Sequence, residues 1–226
     1  QLDYWQVTNY ERISAFDGRD DDLSQIISGR YPEAVSSGEV GCVTSHLKSI
    51  KHWYETTDTE YGIFMEDDCD FCSVKHWPFS WREFMSRMPY DWDCLQIAII
   101  NPRRLIANIH PRYVDDFSTA CFVVNRRYAE KLMHFHCRGD KFKLDNGVRP
   151  RAVADDLIYN AGRTYAIPLF LYKLELGSSI HPEHIDAFHK TSREGLDHWW
   201  TNQSADMPID KFFEYDTHEL LSLIHI

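Results

Sequence analysis

Residues 61–71, YGIFMEDDCDF, pass in one step from an apolar strand to a cluster of carboxylates. Ile63, Phe64 and Met65 give way to Glu66, Asp67 and Asp68, with Asp70 close behind. Like charges at that spacing repel, and desolvating them is costly unless a cation or hydrogen bonds compensate. The fold and the chemistry of the chain both turn on what answers those charges.

Working outward, Ser36-Ser37-Gly38-Glu39 opens a helix on which Val40, Val43, Leu47, Ile50 and Tyr54 recur at steps of three and four, the mark of an amphipathic helix. Upstream, YERISAF (10–16) reads as a strand ending at the turn Asp17-Gly18. Downstream, WPFSWREFMSRM (77–88) reads as a helix, WDCLQIAII (92–100) as a buried strand, and STACFVVN (118–125) as a strand leading into the helix RRYAEKLMHFH. ADDLIYNAGR (154–163) is a helix stopped by Gly162, and TYAIPLFLYK (164–173) is the last strand, its Pro168 marking an edge or a bulge. Strands alternating with helices predict a three-layer α/β sandwich around a mostly parallel sheet, with ligands beyond the carboxyl ends of the strands. Glu66-Asp67-Asp68 falls at such an end.

The 226 residues fit one large domain or two small ones, and no linker or repeat divides them, so a single domain over 1–226 is expected. With 24 basic against 35 acidic residues and no run of Lys and Arg, nucleic acid is excluded as the expected partner. Six cysteines show one C-x-x-C (Cys69, Cys72) without a second pair at zinc-ribbon spacing. Cys42, Cys94 and Cys121 lie in apolar runs and read as small core residues, which suits reduced thiols in a cytoplasmic protein. No stretch of roughly 18 apolar residues predicts a transmembrane helix.

Three acids at the end of a buried strand suit a hard divalent cation with oxygen ligands, Mn²⁺ or Mg²⁺; an exposed acidic turn is the bland alternative. SSGEVGCVTSHLKSIKHW (36–53) followed by YGIFMEDDCDF resembles the family-25 glycosyltransferases, which include bacterial lipooligosaccharide and collagen hydroxylysine galactosyltransferases. The resemblance continues through ERISAFDG (11–18), PYDWDCLQI (89–97), STACFVVNRRYAEKL (118–132), and VADDLI followed by YAIPLF, covering about residues 10–180. It implies a GT-A-like fold and transfer of a hexose, galactose or glucose, from a UDP-sugar donor to a glycan or hydroxylated acceptor, with inversion driven by a carboxylate base. Family members begin with an apolar strand that lines the nucleotide pocket. This chain opens on QLDYWQVTN, which resembles the end of the helix after it, so that strand is expected to be missing and to leave an apolar seam.

The resemblance implies roles residue by residue. Asp68 is the first metal ligand, Glu66 contacts the metal, its water or the ribose, and Asp67 shapes the turn. Ser45 and His46 reach a phosphate or the nucleotide; in their bland roles Ser45 bonds a helix carbonyl and His46 packs in the core. Asp17 and Gly18 meet the ribose or base, or form a plain turn. Asp156, ahead of Asp155, deprotonates the acceptor, beyond the helix-capping role an acid at that position has anyway. His181 is a late metal ligand or a loop residue. Trp199 and Trp200 stack on a sugar or pin the C-terminal segment to the core. The acceptor pocket is expected in loops 101–117 and 138–153. Two competing readings are a sugar-nucleotide-binding relic without turnover and a phosphoesterase drawing a second metal onto Asp115-Asp116 or Asp155-Asp156.

Overall fold

The computed structural model describes residues 1–31, 34–144, 152–175, 180 and 182–214, and its framework is a sheet buried on both faces. In chain order the elements begin with α1 (Leu23–Ile26), α2 (Ser37–Thr56), β1 (Tyr61–Met65), β2 (Cys69–Asp70), α3 (Trp81–Ser86), β3 (Cys94–Ala98) and β4 (His110–Pro111). They continue with β5 (Cys121–Asn125), α4 (Arg126–His136), β6 (Cys137–Arg138), β7 (Lys141–Phe142), α5 (Ala154–Tyr159), β8 (Thr164–Tyr172), α6 (Lys190–Asn202) and α7 (Ile209–Phe212). No helix of the described residues is long and apolar enough to cross a membrane.

The main sheet has the order β1-β5-β3-β8-β2, with β4 also pairing β8. It is mixed, not mostly parallel: only β3–β8 is a parallel pair, while β1–β5, β3–β5, β2–β8 and β4–β8 are antiparallel. The reason is that β5 enters between β1 and β3 running against both. Consequently β1, β3 and β8 still share one direction, and their carboxyl ends lie along one edge with the start of β5 between the first two.

Alternation along each strand sorts the core into two layers. Phe64, Phe122, Val124 and Cys94 pack with Val43, Leu47 and Ile50 of α2, Leu132 of α4 and Leu157 of α5. Cys121, Val123, Leu95 and Ile97 face the other way, onto Phe84 of α3, Leu196 and Trp200 of α6 and Phe212 of α7. Helix α2 starts where the sequence places it because Ser36 and Glu39 form a reciprocal capping box. The last strand bulges at Pro168: its register against β3 moves from Gln96↔Ala166 to Ala98↔Phe170. Side chains satisfy the carbonyls so turned out. Trp200 Nε1 donates to Pro168 O at 2.9 Å, and Ser73 Oγ and Trp77 Nε1 donate to Leu169 O at 2.5 and 3.2 Å. Trp200 is therefore a structural pin, stacked on Phe212, and Trp199 is buried beside it, so neither offers a face to a sugar.

Residues 10–16 form no strand. The segment runs antiparallel along the outside of α2, held by His52–Glu11 (2.8 Å), Lys48 Nζ to Ser14 O (2.8 Å) and Phe16 N to Ser45 Oγ (2.8 Å). At its end Gly18 lies backbone to backbone on the helix: a Cβ on Gly41 would stand 2.5 Å from Gly18 N and 2.8 Å from Phe16 O. Most of the segment is exposed, so it lacks the buried face that would seat it in a sheet. QLDYWQVTN is likewise a run of turns at residues 2–6, not a helix end. The outer edge of β1 has no strand partner among the described residues, and Ile63 and Met65 there are 42% and 39% exposed.

Candidate active site

Each acid of the opening stretch meets a different fate. The Cys69 N–H donates to Glu66 O at 3.2 Å, closing a turn on which Asp67 is exposed. Asp70 is neutralised by Arg193 of α6, 2.8 Å away. Glu66 Oε1 accepts from Thr119 Oγ1 at 2.8 Å and pairs with His46 Nε2 at 3.0 Å. Burial works against the Glu66 carboxylate, but the His46 contact and the Thr119 hydroxyl outweigh it and hold the group below its usual range. Burial likewise opposes charge on His46, and the Cys42 and Glu66 contacts overcome it and raise the imidazole to about 10. Asp68 is left. Its Oδ1 is buried with no hydrogen-bond partner, and burial, then the charges of Glu66 and Asp67, push it up to about 7.

The carboxylates at 66–68 do not converge as a three-ligand set; among the described residues the set that does is Cys42, His46 and Glu66, whose ligand atoms all lie within 4.8 Å of one another. Cys42 and His46 are one turn apart on α2, and Glu66 reaches them from the end of β1. The His46 ring packs edge-on against Phe122, 5.4 Å between centroids, which fixes its orientation. Burial raises the Cys42 thiol against the opposing pull of His46, so it is not poised as a thiolate nucleophile. Sequence reasoning placed Cys42 in the core; the signal that marks it out is the Cys-x-x-x-His spacing on one helix face.

A second carboxylate reaches the same edge. Asp155 Oδ1 accepts from Ser118 N at 2.7 Å, with buried Arg112 3.8 Å away. Burial raises Asp155, the charges of Glu66 and Asp156 add to it, and Arg112 and the Ser118 N–H oppose it. Ser118 itself has φ 100, a left-handed conformation that costs a residue with a Cβ on the order of 1–3 kcal/mol. It is held there from both sides: its carbonyl accepts from Gln96 Nε2 (3.0 Å) and Tyr159 Oη (2.8 Å), and Ala120 N donates to its Oγ (3.0 Å). Strain retained under that much hydrogen bonding is a feature of functional sites. Asp156, expected to lead the pair, is buried with Asn160 Nδ2 3.3 Å from its Oδ1, and Asp155 is the member whose carboxylate accepts from Ser118 N and feels the charge of Glu66. Ser118 and Thr119 lie in the stretch 118–132 that carries the resemblance, but neither they nor Arg112 are given a role by the sequence.

The other expected residues sit elsewhere or in other roles. Ser45 Oγ donates to Gly41 O at 2.6 Å and accepts from Phe16 N, so its proton serves the backbone. Asp17 is half-buried, and the hydrogen bonds and charge of Arg19 hold it down at about 2. Gly18 is buried in the seam on α2. His181 lies outside the described residues. Asp115 is taken by Arg104 at 2.6 Å and Asp116 by a buried network, which leaves a second-metal site there without free ligands. The loop 101–117 lines a cavity of about 240 Å³ with Asn101, Arg103 and Arg104, faced by Ser192 of α6. No family model and no curated protein matches the chain.

The donors present fit a hard cation in one respect: Asp68 offers a buried oxygen without a partner, beside a second carboxylate on the same turn. Glu66 keeps 36% of its side chain exposed, so a ligand has a way in.

Proposed function

We propose that this chain is a metal-dependent glycosyltransferase that moves a hexose, galactose or glucose, from a UDP-sugar to a glycan or hydroxylated acceptor. The observation that carries it is the unpartnered, buried Asp68 Oδ1 next to Glu66 at the carboxyl end of β1. A polar atom left that way costs about 1–3 kcal/mol, and a fold retains such a cost where a ligand removes it. Asp68 and Glu66 would hold Mn²⁺ or Mg²⁺, which supplies positive charge for the departing nucleoside diphosphate.

Asp155 has the position and the raised proton affinity of the base that takes the acceptor's proton, and it is preferred over Asp156 because it faces Ser118 and is felt by Glu66. The cavity lined by Arg103 and Arg104 suits the acceptor. The test is calorimetric titration of UDP, with and without Mn²⁺, into the wild type and Asp68→Asn. Metal-dependent binding in the wild type and its loss in the variant are expected. Binding that ignores Mn²⁺, or survives in Asp68→Asn, rejects the assignment.

A further inference from the structure

The pair His46–Glu66 needs no third member to be satisfied, yet Cys42 stands within 4.8 Å of both ligand atoms. A thiol, an imidazole and a carboxylate are a donor set of mixed softness. Mg²⁺ prefers oxygen alone, whereas sulfur and nitrogen beside one carboxylate suit Zn²⁺. Ligand bonds of about 2.0 Å to nitrogen and oxygen and about 2.3 Å to sulfur put tetrahedral ligand atoms roughly 3.2–3.5 Å apart. The three atoms here therefore need only draw together by side-chain adjustment, with the 3.0 Å His46–Glu66 spacing already close.

We infer that Cys42, His46 and Glu66 form a binding site for a thiophilic divalent cation, Zn²⁺, at the junction of α2 and β1. The supports of such a site are in place. Thr119 Oγ1 donates to the Glu66 oxygen and orients it, and Phe122 backs the His46 ring. Two ligands one helical turn apart and a third from a strand end bring three protein ligands, and the exposed flank of Glu66 leaves the fourth position to water or a ligand oxygen. The ion displaces the thiol and imidazole protons, so its binding releases protons. The site needs no nucleotide and stands apart from the glycosyltransferase proposal, although both draw on Glu66.

The experiment is spectrophotometric titration of the metal-stripped full chain with Co²⁺, followed by Zn²⁺. The expected result is one equivalent bound with an intense tetrahedral visible spectrum and a sulfur-to-cobalt charge-transfer band, both erased by one equivalent of Zn²⁺. Cys42→Ser should lose the charge-transfer band and weaken binding by at least roughly 10- to 100-fold, the loss typical even of outer-shell partners. A weak octahedral spectrum in the wild type, or a band that survives in Cys42→Ser, overturns the site. Should Cys42→Ser fail to fold by circular dichroism, Glu66→Gln decides. It keeps thiol and imidazole, so the band should remain at clearly lower affinity, and unchanged affinity overturns the site. UDP titration reads the other proposal separately: its failure in wild-type protein with the cobalt band intact rejects the glycosyltransferase and leaves the zinc site standing.

Discussion

Two aspartates near the same edge of the sheet, Asp68 and Asp116, are treated in opposite ways by the fold. Asp116 is buried and fully answered: Asn101 Nδ2 donates at 2.9 Å, Tyr113 N at 2.8 Å, and His110 Nε2 lies 3.4 Å away. Burial opposes its charge, yet the contacts with His110, Asn101 and Tyr113 win and hold the carboxyl below its usual range. Asp68 has an unpartnered oxygen and is pushed up to about 7. The difference separates a carboxylate that ties Asn101, His110 and Tyr113 together from one with an oxygen that no group among the described residues answers. Burial alone does not mark a site; burial without an answer does.

Breaking the satisfied member should have the largest effect. Asp116→Ala leaves three groups facing an empty acceptor position and should lower unfolding free energy by about 3–5 kcal/mol, read from urea midpoints at unchanged slope. The pH dependence has a definite sign. A depressed folded-state value means Asp116 contributes stability above the unfolded value of about 3.9, and that contribution is lost as pH falls through the folded value. Between these, wild-type stability should fall more steeply with acid than that of Asp116→Asn. Parallel curves would show that the network stabilises nothing through charge.

Asp68→Asn sharpens the contrast, because removing an unanswered charge should help. In chelator-treated protein it should leave stability unchanged or raise it by up to about 2 kcal/mol, while Mn²⁺-dependent UDP binding disappears. A loss comparable to that of Asp116→Ala would mean that the two carboxylates are not different in kind. The smallest effect belongs to Asp70, whose partner is partly open to water: Arg193→Ala should cost roughly 1 kcal/mol, reduced further at high salt. Thermal melts at two ionic strengths measure it, and a salt-independent loss would assign it to packing of the Arg193 stem against α6 neighbours.

Much of the fold is legible in the chain. Helix α2 follows from the spacing of Val40, Val43, Leu47 and Ile50 and from its capping box, and the apolar runs at 61–65, 94–98, 121–125 and 164–172 are all strands. Strand direction is not, because periodicity records which face is buried and says nothing of which way a neighbour runs; β5 between β1 and β3 made the sheet mixed. The segment 10–16 misled because an extended backbone clipped to a helix by Lys48 and His52 has the local composition of a strand. In the site, the acids at 66–68 announce themselves by their cost. Cys42, Thr119 and Ser118 do not, since each gains its meaning from a neighbour distant in sequence, and Arg112 is recruited from a loop by Gln96 and Asp155.

The backbone seam between Gly18 and Gly41 carries a consequence for how this chain can vary. A methyl on Gly41 meets Gly18 N and Phe16 O, and one on Gly18 meets the Ser37 carbonyl and Gly41 N, so each glycine closes the space the other would need. The two positions behave as one heritable unit. Saturation libraries at either should return glycine alone, and compensating pairs will not be found among single steps. Diversity in this part of the molecule is confined to the turn beyond the seam, Arg19 to Asp22, where side chains stand in water.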